Sequence, residues 1–151
     1  MRAGEVCIRE VVTAERGEAV VDAARRMAEH GVGDLIVVAR DGKLVRPIGI
    51  VTDRDLVLHV LARPDKNPSK VTVGDVMQPQ LVTAVETDEL DDVLVKLRRH
   101  AIRRIPIVDA QGGLQGVVSL DDVIEWIYEQ MRAVTALVEQ QGVRPDIPVA
   151  R

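Results

Sequence analysis

Aromatic side chains are almost absent from this sequence, which has one Trp, one Tyr and no Phe. Proteins that bind single-stranded nucleic acid stack bases on several aromatic rings, so that class is nearly excluded. Cys7 is the only cysteine, which excludes a disulfide framework and a cysteine-based zinc site. The 20 basic and 24 acidic residues give a net charge of −4, so a broad basic surface for nucleic acid is not expected.

Long apolar runs are also missing. No stretch approaches the roughly 18 consecutive apolar residues of a membrane-spanning helix, and the N-terminus lacks the apolar core of a signal peptide. We therefore expect a soluble, cytoplasmic protein. With 46% hydrophobic residues, a chain of 151 residues can bury the core of one compact domain or of two small ones.

The sequence contains an internal repeat. A shift of 70 residues aligns the Val-Thr-Ala of residues 12–14 with that of residues 82–84, and the apolar positions that follow also match. After a turn of different length the shift becomes 67, which aligns residues 49–55 with residues 116–122. This ordered series of matches indicates a tandem duplication, and a duplication determines the architecture of the chain.

Each copy has the same predicted elements. Apolar residues at helical spacing predict an amphipathic helix that opens after Gly17 or Thr87, and Gly31 suits the left-handed end of the first one. A strand, a turn and a second strand follow, and another helix begins near Asp53 or Leu120. The sequence therefore predicts a protein of the α/β (α+β) class.

The boundaries follow from these elements. We place the first copy at residues 5–63, a polar linker at 64–72, the second copy at 73–132, and a C-terminal helix extension with a tail at 133–151. The last helix carries an apolar stripe formed by Val123, Ile127, Met131, Val134 and Val138. A bare stripe needs a partner surface, so we expect a homodimer unless the helix folds back on its own module. The tail from Gly142 onward is expected to fray.

Both copies contain a motif of a known family. The pattern Gly-x-Val-Ser/Thr-x-x-Asp, with the upstream strand end Pro-Ile-Val-Asp at residues 106–109, resembles the cystathionine-β-synthase (CBS) domain. Residues 73–77, followed by residues 81–83, resemble the usual opening strand of that family. Two such domains in tandem resemble a CBS pair, or Bateman module, and the resemblance covers residues 5–132.

The resemblance implies a β-α-β-β-α fold for each copy, with the copies packed sheet to sheet about a pseudo-two-fold axis. It also implies two clefts between the copies, in which adenosine-containing ligands commonly bind. No catalytic domain is expected beside the pair, so the resemblance indicates a regulatory sensor for AMP, ADP or ATP, or for S-adenosylmethionine. The alternative is a ligand-free scaffold for dimerisation or partner docking.

Thr52 with Asp55, and Ser119 with Asp122, are the candidate ligand residues. Each hydroxyl falls where a strand ends and a helix begins, and each carboxylate follows one helical turn later on the same side. By resemblance, the two carboxylates bind the ribose diol, as in dinucleotide folds, and the two hydroxyls lie near the ribose or phosphate. From spacing alone, a plain N-cap followed by an acid that favours the helix dipole is the commoner explanation. The recurrence of the hydroxyl and carboxylate pair in both copies, within the family's pattern, favours the ligand-binding role.

Arg103 and Arg104 are candidate phosphate-binding residues, because family members that bind nucleotide phosphates often carry a basic pair before this strand. A solvated charge run is the alternative. The first copy has Gly33 and Asp34 at the matched positions. We therefore expect the cleft of the second copy to bind phosphate more tightly, unless an arginine of one copy serves the ribose site of the other.

An adenine ring needs an apolar slot, which in this sequence only aliphatic side chains can supply. The candidate walls are Ile50, Val51, Val117 and Val118. Their alternative role is that of ordinary core residues in the strands.

Motifs of the common enzyme classes are missing. The two serines, Ser69 and Ser119, lie outside a Gly-x-Ser-x-Gly motif, and the three histidines form no metal-ligand spacing. We therefore expect no catalytic residue, no required cofactor and no dedicated metal site. Acidic pairs such as Asp121 and Asp122 could bind a Mg²⁺ ion that accompanies ATP. A carboxylate-based, metal-dependent hydrolase is the least favoured interpretation.

Overall fold

The structure is a computed structural model that describes residues 1–142. The first repeat contains α1 (Ala3–Val6), β1 (Thr13–Glu15), α2 (Val20–His30), β2 (Asp34–Asp41), β3 (Leu44–Thr52) and α3 (Asp53–Leu56). A π-helical turn and a 3₁₀ turn follow at Val57–Leu61 and Pro68–Lys70. The second repeat contains α4 (Val73–Val76), β4 (Ala84–Val85), α5 (Leu90–His100), β5 (Arg104–Val108), β6 (Leu114–Ser119) and α6 (Leu120–Gly142).

Each repeat builds one three-stranded sheet. In the first, β1 pairs with β2 in parallel and β2 pairs with β3 in antiparallel; β4, β5 and β6 repeat the arrangement. Helix α2 or α5 connects the parallel pair, since parallel strands need a crossover. With α3 or α6 added, both repeats have the predicted order β-α-β-β-α.

The crossover helix of each repeat buries one face against its sheet. The buried residues are Val20, Ala23 and Met27 in α2, and Leu90, Val93 and Leu97 in α5. Gly31 ends α2 with a φ of +63°, the left-handed conformation in which glycine has no steric cost. Ala101 ends α5 at the matched position with a φ of +52°.

Both crossover helices begin later than predicted. They start at Val20 and Leu90, so Glu18 and Asp88 precede them. The Glu18 carboxylate accepts the N–H of Glu15 (3.2 Å) and forms an ion pair with Arg26 (2.6 Å). The Asp88 carboxylate accepts the N–H of Val85 (3.2 Å) and forms an ion pair with Lys96 (2.7 Å). These acids therefore stabilise the turn before each helix.

Residues 73–77 do not form the predicted opening strand. Val73–Val76 is the short helix α4, and the strand β4 begins at Ala84. The N–H of Thr72 donates to Asp75 Oδ2 (2.9 Å), which caps α4. This local capping favours the helical turn over extended backbone.

Each repeat completes the core of the other. The core of the first repeat includes Val73 from α4, and the core of the second includes Ala3 from α1. Matched hydrogen bonds hold the two segments, because the N–H of Val73 donates to the Glu18 carbonyl (2.8 Å) and the N–H of Ala3 donates to the Asp88 carbonyl (2.8 Å). We call residues 1–8 and 71–78 the exchanged segments.

Two glycines let the exchanged segments approach the sheets. The segments meet the strands at two isolated bridges, Gln78 with Ile50 and Ile8 with Val117. A Cβ atom on Gly49 would lie 2.8 Å from the carbonyl oxygen of Gln78, and one on Gly116 would lie 2.8 Å from that of Ile8. A side chain at either glycine would therefore displace the segment.

The two sheets face each other across the pseudo-two-fold axis. Strand β3 contacts β6, and a Cβ on Gly113 in the β5–β6 turn would lie 2.7 Å from Leu44. Ile36 and Val38 are buried although they lie outside the core that packs beneath α2. The sheet of the first repeat therefore buries both of its faces.

Helix α6 continues without a break from the second repeat into the C-terminal extension. Val123 is buried in the core, but the rest of the apolar stripe is exposed: Ile127, Met131, Val134 and Val138. Within residues 1–142, no helix has both the length and the apolar character that crossing a membrane requires. The tail after Gly142, predicted to fray, lies outside the described residues.

Candidate functional site

Thr52 and Asp55 bond to each other where β3 meets α3. The N–H of Thr52 donates to Asp55 Oδ2 (2.9 Å), and the N–H of Asp55 donates to Thr52 Oγ1 (3.0 Å). The hydrogen bond from Thr52 holds the Asp55 carboxylate in a defined orientation, and Asp55 is only 7% exposed. We call these two residues the Asp55 corner.

Ser119 and Asp122 form the matching Asp122 corner where β6 meets α6. The N–H of Ser119 donates to Asp122 Oδ2 (2.8 Å), and the N–H of Asp122 donates to Ser119 Oγ (3.2 Å). The Ser119 hydroxyl also donates to Asp122 Oδ2 (2.5 Å). The structure therefore brings both predicted pairs together with the same local geometry.

This geometry is a capping box, the ordinary structural role already considered for these residues. Capping engages one oxygen of each carboxylate, and a carboxylate has about four lone-pair sites for donors. Capping therefore does not use up the acceptors that a ribose diol needs. It also orients them, because the backbone fixes the carboxylate.

A side chain from an exchanged segment distinguishes the two corners. Gln78 Nε2 lies 3.2 Å from both Oδ1 and Oδ2 of Asp55 and donates to them. The residue at the matched position beside the Asp122 corner is Ile8, which cannot donate from its side chain. Among the hydrogen bonds of the described residues, those to the Asp122 carboxylate end on Oδ2. Sequence analysis did not identify Gln78.

Arg103 and Arg104 have different surroundings. Arg104 forms an ion pair with Asp34 of the other repeat, with Nε 3.1 Å from Oδ2. The side chain of Arg103 is 76% exposed and pairs with the exposed Asp121 (3.4 Å). Asp34 offsets the charge of Arg104. The charge difference between the two copies is therefore a weaker argument for tighter phosphate binding in the cleft of the second copy.

The environment of Asp34 is unfavourable to its charge. Burial raises the pKa of the Asp34 carboxyl; Arg104 opposes this shift, and the carboxylate of Asp53 adds to it. An ion pair alone would lower the pKa, so desolvation is the larger effect here. Arg104 therefore stabilises the ionised form of Asp34 against the cost of burying its charge.

Comparison with known proteins identifies the repeats. The sequence profile of the CBS domain matches residues 3–62 and 73–129. The chain belongs to the CBS domain family. An uncharacterised protein of Methanopyrus kandleri is 38% identical over 122 residues, which cover 81% of this chain and 60% of that relative. A CBS domain-containing protein of Bacillus subtilis is 35% identical over 114 residues, 76% of each chain.

Solved CBS structures share the fold. A CBS domain protein from Pyrobaculum aerophilum, complexed with AMP, has a TM-score of 0.70 and 28% identity, over 81% of this chain and 89% of that one. A CBS domain pair in complex with 5′-methylthioadenosine and S-adenosyl-L-methionine has a TM-score of 0.73 over 86% of this chain and 98% of that one. At 23% identity, the second likeness concerns the fold alone.

The four predicted adenine walls do not share one surface in this CBS pair. Val51 and Val118 are fully buried in the cores of their own repeats, so they are core residues and not walls of a slot. Ile50 and Val117 lie at alternate positions of the same strands and pair with the exchanged segments. Only these two stay candidates for contact with a base.

A cleft of about 390 Å³ adjoins the Asp55 corner. Its lining comes from the second CBS repeat and consists of Gln78, Pro79, Gln80, Val82, His100 and Ile102. Gln78 links it to the corner through the hydrogen bonds to Asp55. Arg103 and Arg104 directly follow Ile102 in the chain. A carboxylate of one repeat therefore lies beside side chains of the other.

Side chains that could ligate a metal do not cluster in the described part of the CBS pair. Within residues 1–142, no group of three or more His, Cys, Asp or Glu side chains could hold a metal ion. Asp53 lies two residues before Asp55, and Asp121 directly precedes Asp122, so each corner has a second carboxylate nearby in the chain. Mg²⁺ is commonly held by one or two carboxylates together with substrate phosphates, so at these corners it would have to arrive with a nucleotide.

Proposed function

We propose that this CBS pair is a regulatory module that binds an adenosine-containing ligand. AMP, ADP and ATP are the first candidates, and S-adenosylmethionine is the next. The proposal rests on the repeated corner, in which a carboxylate is oriented by backbone N–H groups beside the junction of the two repeats. Such a carboxylate can accept both hydrogen bonds of a ribose diol.

Each residue has a role in this proposal. Asp55 and Asp122 accept the ribose hydroxyls, while Thr52 and Ser119 hold the carboxylates and lie next to the ribose or phosphate. Arg103 carries an exposed guanidinium that can move to a phosphate, and Arg104 can do so only by leaving Asp34. Ile50 and Val117 offer the apolar contact for adenine. A cytoplasmic location and Mg²⁺ brought by ATP belong to the same proposal.

Ligand binding becomes regulation because the Asp55 carboxylate belongs to the first repeat, whereas the lining of the adjoining cleft belongs to the second. A ligand that contacts both repeats favours the arrangement in which both contacts form. The shift is limited by the difference in the ligand's affinity for the two arrangements. The role is therefore that of a sensor and not of a catalyst.

A thermal-shift panel tests the proposal. At about 100 times its Kd, a ligand that binds only the folded state adds about 2.7 kcal/mol to the free energy of unfolding, or roughly 5–10 °C in Tm for a chain of this size. We expect AMP, ADP or ATP to give such a shift, and the double variant Asp55→Asn/Asp122→Asn to lose it. Asparagine keeps an oxygen that can cap the helix but has fewer acceptors.

Asp75→Asn is the matched control. Thr72 and Asp75 form the same capping box at the start of α4. This variant therefore weakens one capping box in the same way, at a position away from the two corners. It should keep the full ligand shift. If no adenosine compound shifts the parent chain, the binding function is disproved.

The exposed stripe of α6 supports a second role, self-association, which we propose to occur between α6 helices of two copies. Ile127, Met131, Val134 and Val138 are 40–64% exposed and lie on one face of the helix. Contiguous apolar patches of this kind mark interfaces in soluble proteins. A second copy presents the same stripe, which suits a two-fold dimer.

Light scattering tests this dimer. At tens of micromolar chain we expect a dimer for the parent and a monomer for Val134→Glu, because each copy would place a charge in the apolar contact. Glu129→Lys is the control, since Glu129 is exposed on the opposite side of α6. A monomeric parent would rule out this interface.

A further inference from the structure

We propose that Gln78 competes with the ribose for the carboxylate of Asp55, and that it thereby lowers the affinity of the Asp55 corner for adenosine ligands. This inference rests on the proposed function, because it concerns the same corner. It adds a specificity-determining residue that comes from the other repeat. The competing group is the side-chain amide, which donates where the ribose hydroxyls would donate.

The contacts of Gln78 support the competition. Its Nε2 lies 3.2 Å from each oxygen of Asp55, so one amide occupies both acceptors that a diol would use. Asp55 is 7% exposed, whereas Gln78 is an exposed residue. A ligand therefore reaches the carboxylate only after the glutamine side chain has moved, and an exposed side chain can move without disturbing the core.

The backbone holds Gln78 at the corner. Its N–H donates to the Ile50 carbonyl (2.8 Å), and the N–H of Ile50 donates to the Gln78 carbonyl (3.1 Å). Both bonds belong to the exchanged segment and persist when the side chain swings away. Release of Asp55 therefore needs only a rotamer change.

The other corner provides an internal comparison. Ile8 makes the same two backbone bonds with Val117 (2.9 and 3.0 Å) and occupies the position that matches Gln78. Its side chain is aliphatic and leaves Asp122 Oδ1 without a donor from the exchanged segment. The same corner thus exists in one molecule with the competitor and without it.

Two variants exchange the residues, and AMP titrations by calorimetry measure the result. In an Asp122→Asn background, where only the Asp55 corner is intact, Gln78→Ile should tighten AMP binding about tenfold, which corresponds to about 1.4 kcal/mol. In an Asp55→Asn background, Ile8→Gln should weaken AMP binding at the Asp122 corner by a similar factor. Gln78→Ile in this second background is the control and should change nothing.

The outcomes separate the two proposals. AMP binding that is unchanged or weakened by Gln78→Ile in the first background would overturn the competition, since the glutamine would then be neutral or would itself hold the ligand. Binding that becomes measurable only after that substitution would support it. A parent chain and a Gln78→Ile variant that both fail to bind AMP would instead remove the proposed function, and the competition with it.

Discussion

Gly116→Val is expected to lower the free energy of unfolding by about 3 kcal/mol, at the upper end of the usual range for overpacked sites. A Cβ at this position would lie 2.7 Å from Cys7 Sγ and 2.8 Å from the Ile8 carbonyl oxygen. The methyl groups of valine need still more room. Relief requires the exchanged segment to leave β6, which breaks both hydrogen bonds between Ile8 and Val117.

Urea unfolding measures this loss, and Gly17→Ala is the control because no atom lies within 4 Å of its added Cβ. The control should be neutral or slightly stabilising. Cys7 provides a second readout: burial raises the pKa of its thiol, so the parent should react slowly with a thiol reagent and Gly116→Val should react faster. Equal unfolding midpoints for the two variants would contradict the structural role of the exchange.

Arg104→Met is expected to lower the free energy of unfolding at neutral pH by about 1–3 kcal/mol, because it leaves the Asp34 carboxylate buried without its cation. The Asp34 side chain is 18% exposed and that of Arg104 is 34% exposed. The pair is thus partly accessible to water, and the loss stays below that of a fully buried pair. Arg103→Met is the matched control, since its ion pair is exposed and should contribute little.

The pH dependence of this loss has a defined sign. The pKa of Asp34 is raised in the folded state, so its ionisation costs stability, and this cost appears as the pH rises through that pKa. Arg104 offsets the cost only while Asp34 is ionised. The difference between parent and Arg104→Met should therefore shrink as the pH falls through the folded pKa of Asp34. A difference that grows in acid would show that another group carries the effect.

The fold could largely be predicted because its signals are local and repeated. The shift of 70 residues revealed the duplication, and apolar spacing placed both crossover helices to within a few residues. The exchange of segments could not be predicted in this way. Val73 and Ala3 are ordinary small or apolar residues in the sequence, and only the three-dimensional path of the chain decides which core they enter. The boundaries at 5–63 and 73–132 stay predictions.

The candidate ligand site could be predicted to a similar extent. The Ser/Thr-x-x-Asp spacing identifies both corners, because one helical turn is enough to bring hydroxyl and carboxylate together. Gln78 was missed although the same shift aligns it with Ile8, since nothing local relates position 78 to position 55. The pairing of Arg104 with Asp34 was missed for the same reason, as it joins residues 70 positions apart.

The ion pair between Asp34 and Arg104 also bears on how such a module could arise. Residues that occupy matched positions and touch each other lie on the axis that relates the two copies. In a homodimer of identical single repeats, that position would hold the same residue twice, so an acid would face an acid or a base would face a base. Fusion of two repeats in one gene removes this restriction, because each copy can then mutate by itself. An opposite-charge contact on the axis is therefore available to the fused chain and not to such a homodimer, and it commits the two halves to remain different from each other.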